Sequence, residues 1–111
     1  VRFQRGGEPV AGIRSSAAYG HTPGHTAFSI TSQEQTFAYL GDLTNIAALF
    51  VRNPDWAVRF DMDAEAARQT RRRLLEAAAA GAWMVGGYHL PAPALGRIVR
   101  RGSGYDFLPL S

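Results

Sequence analysis

Three histidines are the only imidazoles in the chain, and each stands in a turn flanked by Gly or Pro. His21 and His25 lie in Gly20-His21-Thr22-Pro23-Gly24-His25-Thr26, and His89 lies in Gly86-Gly87-Tyr88-His89-Leu90-Pro91. Histidines that merely fill a core rarely gather in such contexts. The spacing of His21 and His25 would put both on one helix face, but Pro23-Gly24 between them favours a rigid loop. One of the pair then points into a site while its neighbour braces the loop. Asp42 follows Tyr39-Leu40-Gly41, at a strand end where Gly41 lets the backbone turn sharply and where loops collect functional groups. Taken alone, Asp42 reads equally well as a cap for Leu43-Thr44-Asn45. His25, Asp42 and His89 each occupy a strand-to-loop junction, and such junctions can converge on one edge of a sheet. Neutral imidazole and carboxylate form a donor set suited to Zn²⁺, Mn²⁺ or Fe²⁺. Three such donors could hold one catalytic metal, with water at an open position. No pair among them has the short fixed spacing that makes His-Glu-x-x-His specific, so spacing alone is a weak signal.

The elements that would position these residues read as strands, then a helix, then strands. Ala27–Thr31 and Thr36–Leu40 flank the polar Ser32-Gln33-Glu34-Gln35, which predicts an antiparallel hairpin. Asp63 is a good N-cap for a helix running to about Ala80, with Glu65 in its first turn and Gly81 at the C′ position. Ala67, Thr70, Leu74, Ala77 and Ala78 recur at helical spacing and predict the buried stripe. Arg68, Gln69, Arg71 and Arg72 are expected mostly on the solvated side. Trp83-Met84-Val85-Gly86 reads as a short buried strand and Gly104–Leu108 as a last one. The stretch from Leu43 to Arg59 is less regular, with a short helix broken before Pro54. Its Ile46, Leu49 and Phe50 suit core packing better than a substrate pocket.

Composition narrows the function classes. The 111 residues hold 46% hydrophobic residues, the content of one globular unit. Without cysteine there are no disulfides, thiolate metal sites or cysteine nucleophiles, so any metal must be held by His and carboxylate. No apolar run approaches the length of a membrane span, and no membrane partner is expected. The net charge of +3 comes from 12 scattered Arg, clustered only at Arg71-Arg72-Arg73 and Arg100-Arg101. Acidic residues accompany the Arg71–Arg73 run and no aromatics interleave with it, so nucleic acid is not an expected partner either. Val1-Arg2-Phe3 reads like the middle of a domain, which suggests a truncated or processed chain.

Gly20–Thr26, followed by Leu40-Gly41-Asp42 and then Gly87-Tyr88-His89-Leu90-Pro91, resembles in order and spacing the second half of a metallo-β-lactamase-fold hydrolase. Within that superfamily the chain is most similar to the branch of methyl parathion hydrolase and lactonase-like enzymes. That likeness runs through the Asp61–Gly81 region and the closing Gly104-Tyr105-x-Phe107-x-Pro109. The resemblance covers nearly the whole chain and implies an α/β fold, the C-terminal half of a four-layer αββα sandwich. It also implies a dinuclear site in which His25 binds one metal, Asp42 bridges both and His89 binds the other. The ions would be zinc, with manganese or iron as alternatives, and Asp42 would be the catalytic residue that orients the nucleophile. His21 is not normally a ligand in that pattern.

Two departures qualify the resemblance. The family's His-x-His-x-Asp-His motif occurs nowhere in residues 1–111, so the expected domain is the C-terminal portion with its N-terminal half absent. In Pro91-Ala92-Pro93-Ala94-Leu95-Gly96-Arg97 the branch usually shows a Phe and a Gly between the prolines and the final Gly, and a His in place of Arg97. The implied activity of the whole protein is hydrolysis of an ester, lactone or phosphotriester, with this chain alone inactive. The other reading is a catalytically silent binding or assembly module on the same fold. Half a sandwich also exposes the face its partner would cover, so association with the missing half or with itself is expected.

Overall fold

The computed structural model describes residues 6–111; the Val1-Arg2-Phe3 opening lies outside the described residues. Strands β1 (Ile13–Ala17), β2 (Thr26–Ser32) and β3 (Gln35–Tyr39) are followed by a one-turn helix α1 (Ala47–Phe50) and a long helix α2 (Ala64–Ala80). Strands β4 (Met84–Gly86), β5 (Leu95–Arg101) and β6 (Gly104–Pro109) complete one six-stranded sheet in the order β1-β2-β3-β4-β5-β6. All neighbours are antiparallel except β3 and β4, which run parallel. A parallel pair cannot be closed by a tight turn, and α2 lies in the crossover between them. The ends of β3 and β4 that carry Asp42 and His89 therefore emerge side by side.

The β2–β3 hairpin forms as expected, with Ile30 opposite Phe37 and Phe28 opposite Tyr39. Helix α2 begins where the sequence places it: the Asp63 carboxylate accepts from the Ala66 N–H at 3.0 Å, one of the donors a helix start leaves unpaired. At its other end Gly81 is the C-cap in right-handed conformation (φ −87°), and Ala82, one residue later, takes the positive φ of 49° expected of Gly81. Strand β5 was not expected from the sequence. Its Leu-Gly-Arg-Ile-Val-Arg-Arg segment buries only Gly96 and Ile98, so its apolar alternation is faint.

The core lies between α2 and one face of the sheet. Leu74, Leu75 and Ala78 of α2 pack with Ala27, Ala38, Val85 and Ile98 of the strands, joined by Leu40, Leu43, Ala47 and Val51. The opposite face carries Ile13, Ile30, Phe37 and Tyr39 around an open apolar depression, with Val10 at its edge. One helical layer on one sheet, with a second apolar face, is the arrangement expected of part of an αββα sandwich.

One expectation about α2 is overturned. Arg71 does not point to solvent: its side chain is 1% exposed and lies in the interior. The bend of the Leu43–Asp61 loop supplies the acceptors that make this burial tolerable, because the guanidinium donates to the carbonyls of Leu43, Pro54 and Trp56 at 2.8 to 3.1 Å. The Phe50 ring lies 5.6 Å from its Cζ. A periodicity count sees the charge of Arg71 and cannot see these distant carbonyls. Ile46 and Leu49 likewise depart from the expected core packing and are 50% and 41% exposed.

Candidate functional site

The loop from Gly20 to His25 is fixed by its own backbone. Gly20 and His25 both donate to the Thr22 carbonyl, and Ala18 donates to the His25 carbonyl at 2.9 Å. Gly20 has φ +131° and lies so close to α2 that an added Cβ would stand 2.1 Å from the Ala67 nitrogen, so only glycine lets the loop meet the helix start. The contact is sealed by Asp63 N–H to the Gly20 carbonyl at 2.9 Å and Met62 N–H to the His21 carbonyl at 3.2 Å.

His25 braces this loop and reaches the next one. Its Nδ1–H donates to the Ala18 carbonyl at 2.6 Å, and its Nε2 accepts the Asp42 N–H at 3.0 Å. The turn at Gly41 (φ +59°) brings the Asp42 amide there, and a Cβ on Gly41 would stand 2.6 Å from the same Nε2. At the end of β4, Tyr88 donates its N–H to the Gly41 carbonyl at 3.0 Å, which holds the two loops together. His89 follows with φ +61° and donates from Nε2 to Asp42 Oδ1 at 3.1 Å. The other oxygen of Asp42 stands 4.0 Å from Nε2 of His21.

The structure thus brings together His25, Asp42 and His89, and adds His21, whose ring lies 5.9 Å from that of His25. His21, Asp42 and His89 line one cleft with Leu43, Thr44, Val58, Phe60 and Asp61. Its apolar wall comes from Val58 and the 72% exposed Phe60 rather than from Ile46, Leu49 or Phe50. Asp61 was missed as a candidate by sequence reading. Its carboxylate, 4% exposed, accepts from His21 Nδ1 at 3.2 Å and from Arg71 at 3.4 Å. Nothing local marks it, since its partners lie 40 and 10 positions away.

The donor set has the chemistry a divalent metal requires. The Ala18 carbonyl fixes the proton of His25 on Nδ1 and leaves Nε2 with its lone pair, the tautomer of a supported metal ligand. The set is also partial: among the described residues, no three His, Cys, Asp or Glu side chains gather closely enough to hold a metal ion by themselves. Among the described residues, no helix is long and apolar enough to cross a membrane.

The family model of the metallo-beta-lactamase superfamily matches residues 1–89. The chain belongs to the metallo-beta-lactamase superfamily. Its fold is shared with AidC, described as a dizinc quorum-quenching lactonase in complex with a product. That structure aligns with a TM-score of 0.90 and 28% identity over 98% of this chain and 37% of its own. The hydrolase AbOPH aligns with a TM-score of 0.90 and 24% identity over 97% of this chain and 38% of its own. A probable metal-dependent hydrolase from Staphylococcus aureus gives 0.76 and 22%, covering 98% and 40%. At identities under 25% the last two show the fold alone. The chain spans well under half the length of each of these structures, and no curated protein matches it.

Proposed function

We propose that the protein carrying this chain is a metal-dependent hydrolase that cleaves an ester, lactone or phosphotriester. The observation that carries this reading is the meeting of His25, Asp42 and His89, from three separate loops, at one edge of a superfamily fold. The dizinc lactonase that shares the fold supports two divalent ions, zinc first and manganese or iron as alternatives. His25 and His89 would each anchor one ion and Asp42 would bridge them, with further donors supplied by a His-x-His-x-Asp-His segment outside residues 1–111.

Bound divalent metal supplies a water whose pKa falls towards about 7 and a Lewis acid for the substrate oxygen. The chain's own residues do the positioning. The Ala18 carbonyl keeps Nε2 of His25 unprotonated, and the Gly41 turn sets the Asp42 backbone N–H against it. His89 holds one oxygen of the Asp42 carboxylate, and Val58 and Phe60 form the apolar wall of the cleft.

A second reading, a catalytically silent binding or assembly module, is favoured by one observation. The Nε2 lone pair of His25 is already taken by the Asp42 amide. Metal content separates the two readings when measured by mass spectrometry on the whole protein and on its Asp42→Ala variant. Near two ions per chain, reduced in the variant, supports the hydrolase and justifies a screen of esters, lactones and phosphotriesters. No bound metal in the whole protein, with folding unchanged in the variant, sinks it in favour of the module.

A further inference from the structure

We infer that Arg71 and Asp61 are positioning residues that hold His21 in one tautomer, with Nδ1 protonated and Nε2 turned to Asp42. The inference rests on Asp42 being a carboxylate of the proposed site. Its starting point is the buried guanidinium. Nε and Nη1 of Arg71 are satisfied by the carbonyls of Leu43, Pro54 and Trp56, which leaves Nη2 directed at Asp61 Oδ2. Asp61 meets this fixed guanidinium as a carboxylate, and a carboxylate can only accept. The 3.2 Å contact between Asp61 Oδ1 and His21 therefore requires the imidazole proton on Nδ1. When the ring is neutral it carries that one N–H, and Nε2 then presents a lone pair to Asp42 Oδ2 across 4.0 Å. Two lone pairs facing each other become favourable when a proton, a water or a cation is shared between them. In that tautomer the His21 ring turns no N–H donor towards Asp42 Oδ2. The backbone bonds from Met62 and Asp63 to the His21 loop hold the ring at the required distance.

The replacement Asp61→Asn reverses this logic without changing volume. Arg71 still demands an acceptor and takes the amide oxygen, so the amide NH₂ faces Nδ1 of His21. Nδ1 must then accept, the proton of the neutral ring moves to Nε2, and an N–H is aimed at Asp42 Oδ2. Long-range ¹H–¹⁵N spectra of histidine-labelled protein, recorded where the rings are neutral, read this directly. His21 of the wild type is expected to show a protonated Nδ1 and a bare Nε2, and Asp61→Asn is expected to exchange them. His25 keeps its proton on Nδ1 in both, because its partner is the Ala18 carbonyl. A wild-type His21 protonated on Nε2 overturns the inference whether or not the variant folds. A folded variant that keeps the wild-type tautomer does the same.

Calorimetric titration of the whole protein with Zn²⁺ alone separates this outcome from that of the proposed function. Asp61→Asn is expected to weaken Zn²⁺ binding roughly tenfold, the scale of losing an outer partner of a metal site. Undiminished affinity in the folded variant overturns the positioning role. Zn²⁺ binding that is absent, or indifferent to Asp42→Ala, instead overturns the reading on which that role rests, while the tautomer spectra still report on the relay.

Discussion

The backbone N–H of Asp42 donates to Nε2 of His25 at 3.0 Å, across 17 positions of sequence. That bond exists because Gly41 leaves the space in front of the imidazole empty and takes a φ of +59°. Gly41→Ala is therefore expected to lose twice. The left-handed backbone costs about 1–2 kcal/mol for a residue with a Cβ, and the methyl group must push the His25 ring away. Thermal unfolding should show the loss in stability, and Zn²⁺ calorimetry on the whole protein a weaker site. A variant with wild-type Zn²⁺ affinity would mean that the His25–Asp42 contact does not shape the site.

Arg71 makes a different kind of contribution, because its charge has no route to solvent. Burial pushes the guanidinium's pKa down and the Asp61 carboxylate pushes it back up, so each ion is tolerated by virtue of the other. Removing one partner of such a pair typically costs about 3–5 kcal/mol, since the remaining charge stays buried. Arg71→Met should approach that loss in urea unfolding, and Arg72→Met should not. Arg72 pairs with Asp55 at the surface, where 42% and 60% of the two side chains are exposed, and such pairs contribute about 0–1 kcal/mol. Equal losses in the two variants would contradict the structure.

The contrast between neighbouring arginines also shows where the sequence was legible. Asp63, the 17-residue helix after it and the β2–β3 hairpin are written in local signals: a capping side chain, a helical stripe, a polar turn. The meeting of His25, Asp42 and His89 was legible as a family pattern, and their spacing alone did not require it. Arg71 and Asp61 were not legible, because what makes one buried and the other a histidine partner is a set of carbonyls and a ring brought in by the fold of residues 43–61. Strand β5 was missed for a related reason: Ile98 is its only buried large side chain, and its partners are in β4 and β6.

The sheet face opposite α2 gives the next prediction. Ile30, paired with Ile13 on one side and Phe37 on the other, is 43% exposed in the middle of an apolar surface, and Val10 beside it is 61% exposed. Contiguous apolar surface of this kind drives association when nothing covers it. The 12.0 kDa chain on its own is expected to run above its monomer mass in light scattering, increasingly so with concentration. Ile30→Arg should return it towards the monomer. A clean wild-type monomer at high concentration would sink the expectation.

Glu76 sets an acid limit on the packing of α2 against the end of the sheet. Its carboxylate is bound by the Arg100 guanidinium and accepts from the Tyr105 hydroxyl at 2.6 Å, and these partners hold its pKa down at about 2 against an ordinary 4.5. A folded-state value below the unfolded one means that the contribution is complete above about 4.5 and is lost as pH falls towards about 2. Burial, with Glu76 beside it, pushes Tyr105 the other way, so its phenol stays a donor throughout that window. Glu76→Gln should therefore flatten the fall in stability between these two pH values, lowering stability near neutrality, where the wild-type contribution is complete, and converging with the wild type as pH falls towards about 2. It should not abolish the fall, because Arg72 lowers Asp55 and Arg101 with Arg52 lowers Asp106, and both must also be protonated. Urea midpoints of the two proteins at a series of pH values test this: parallel curves across the window would show that Glu76 carries no linked stability.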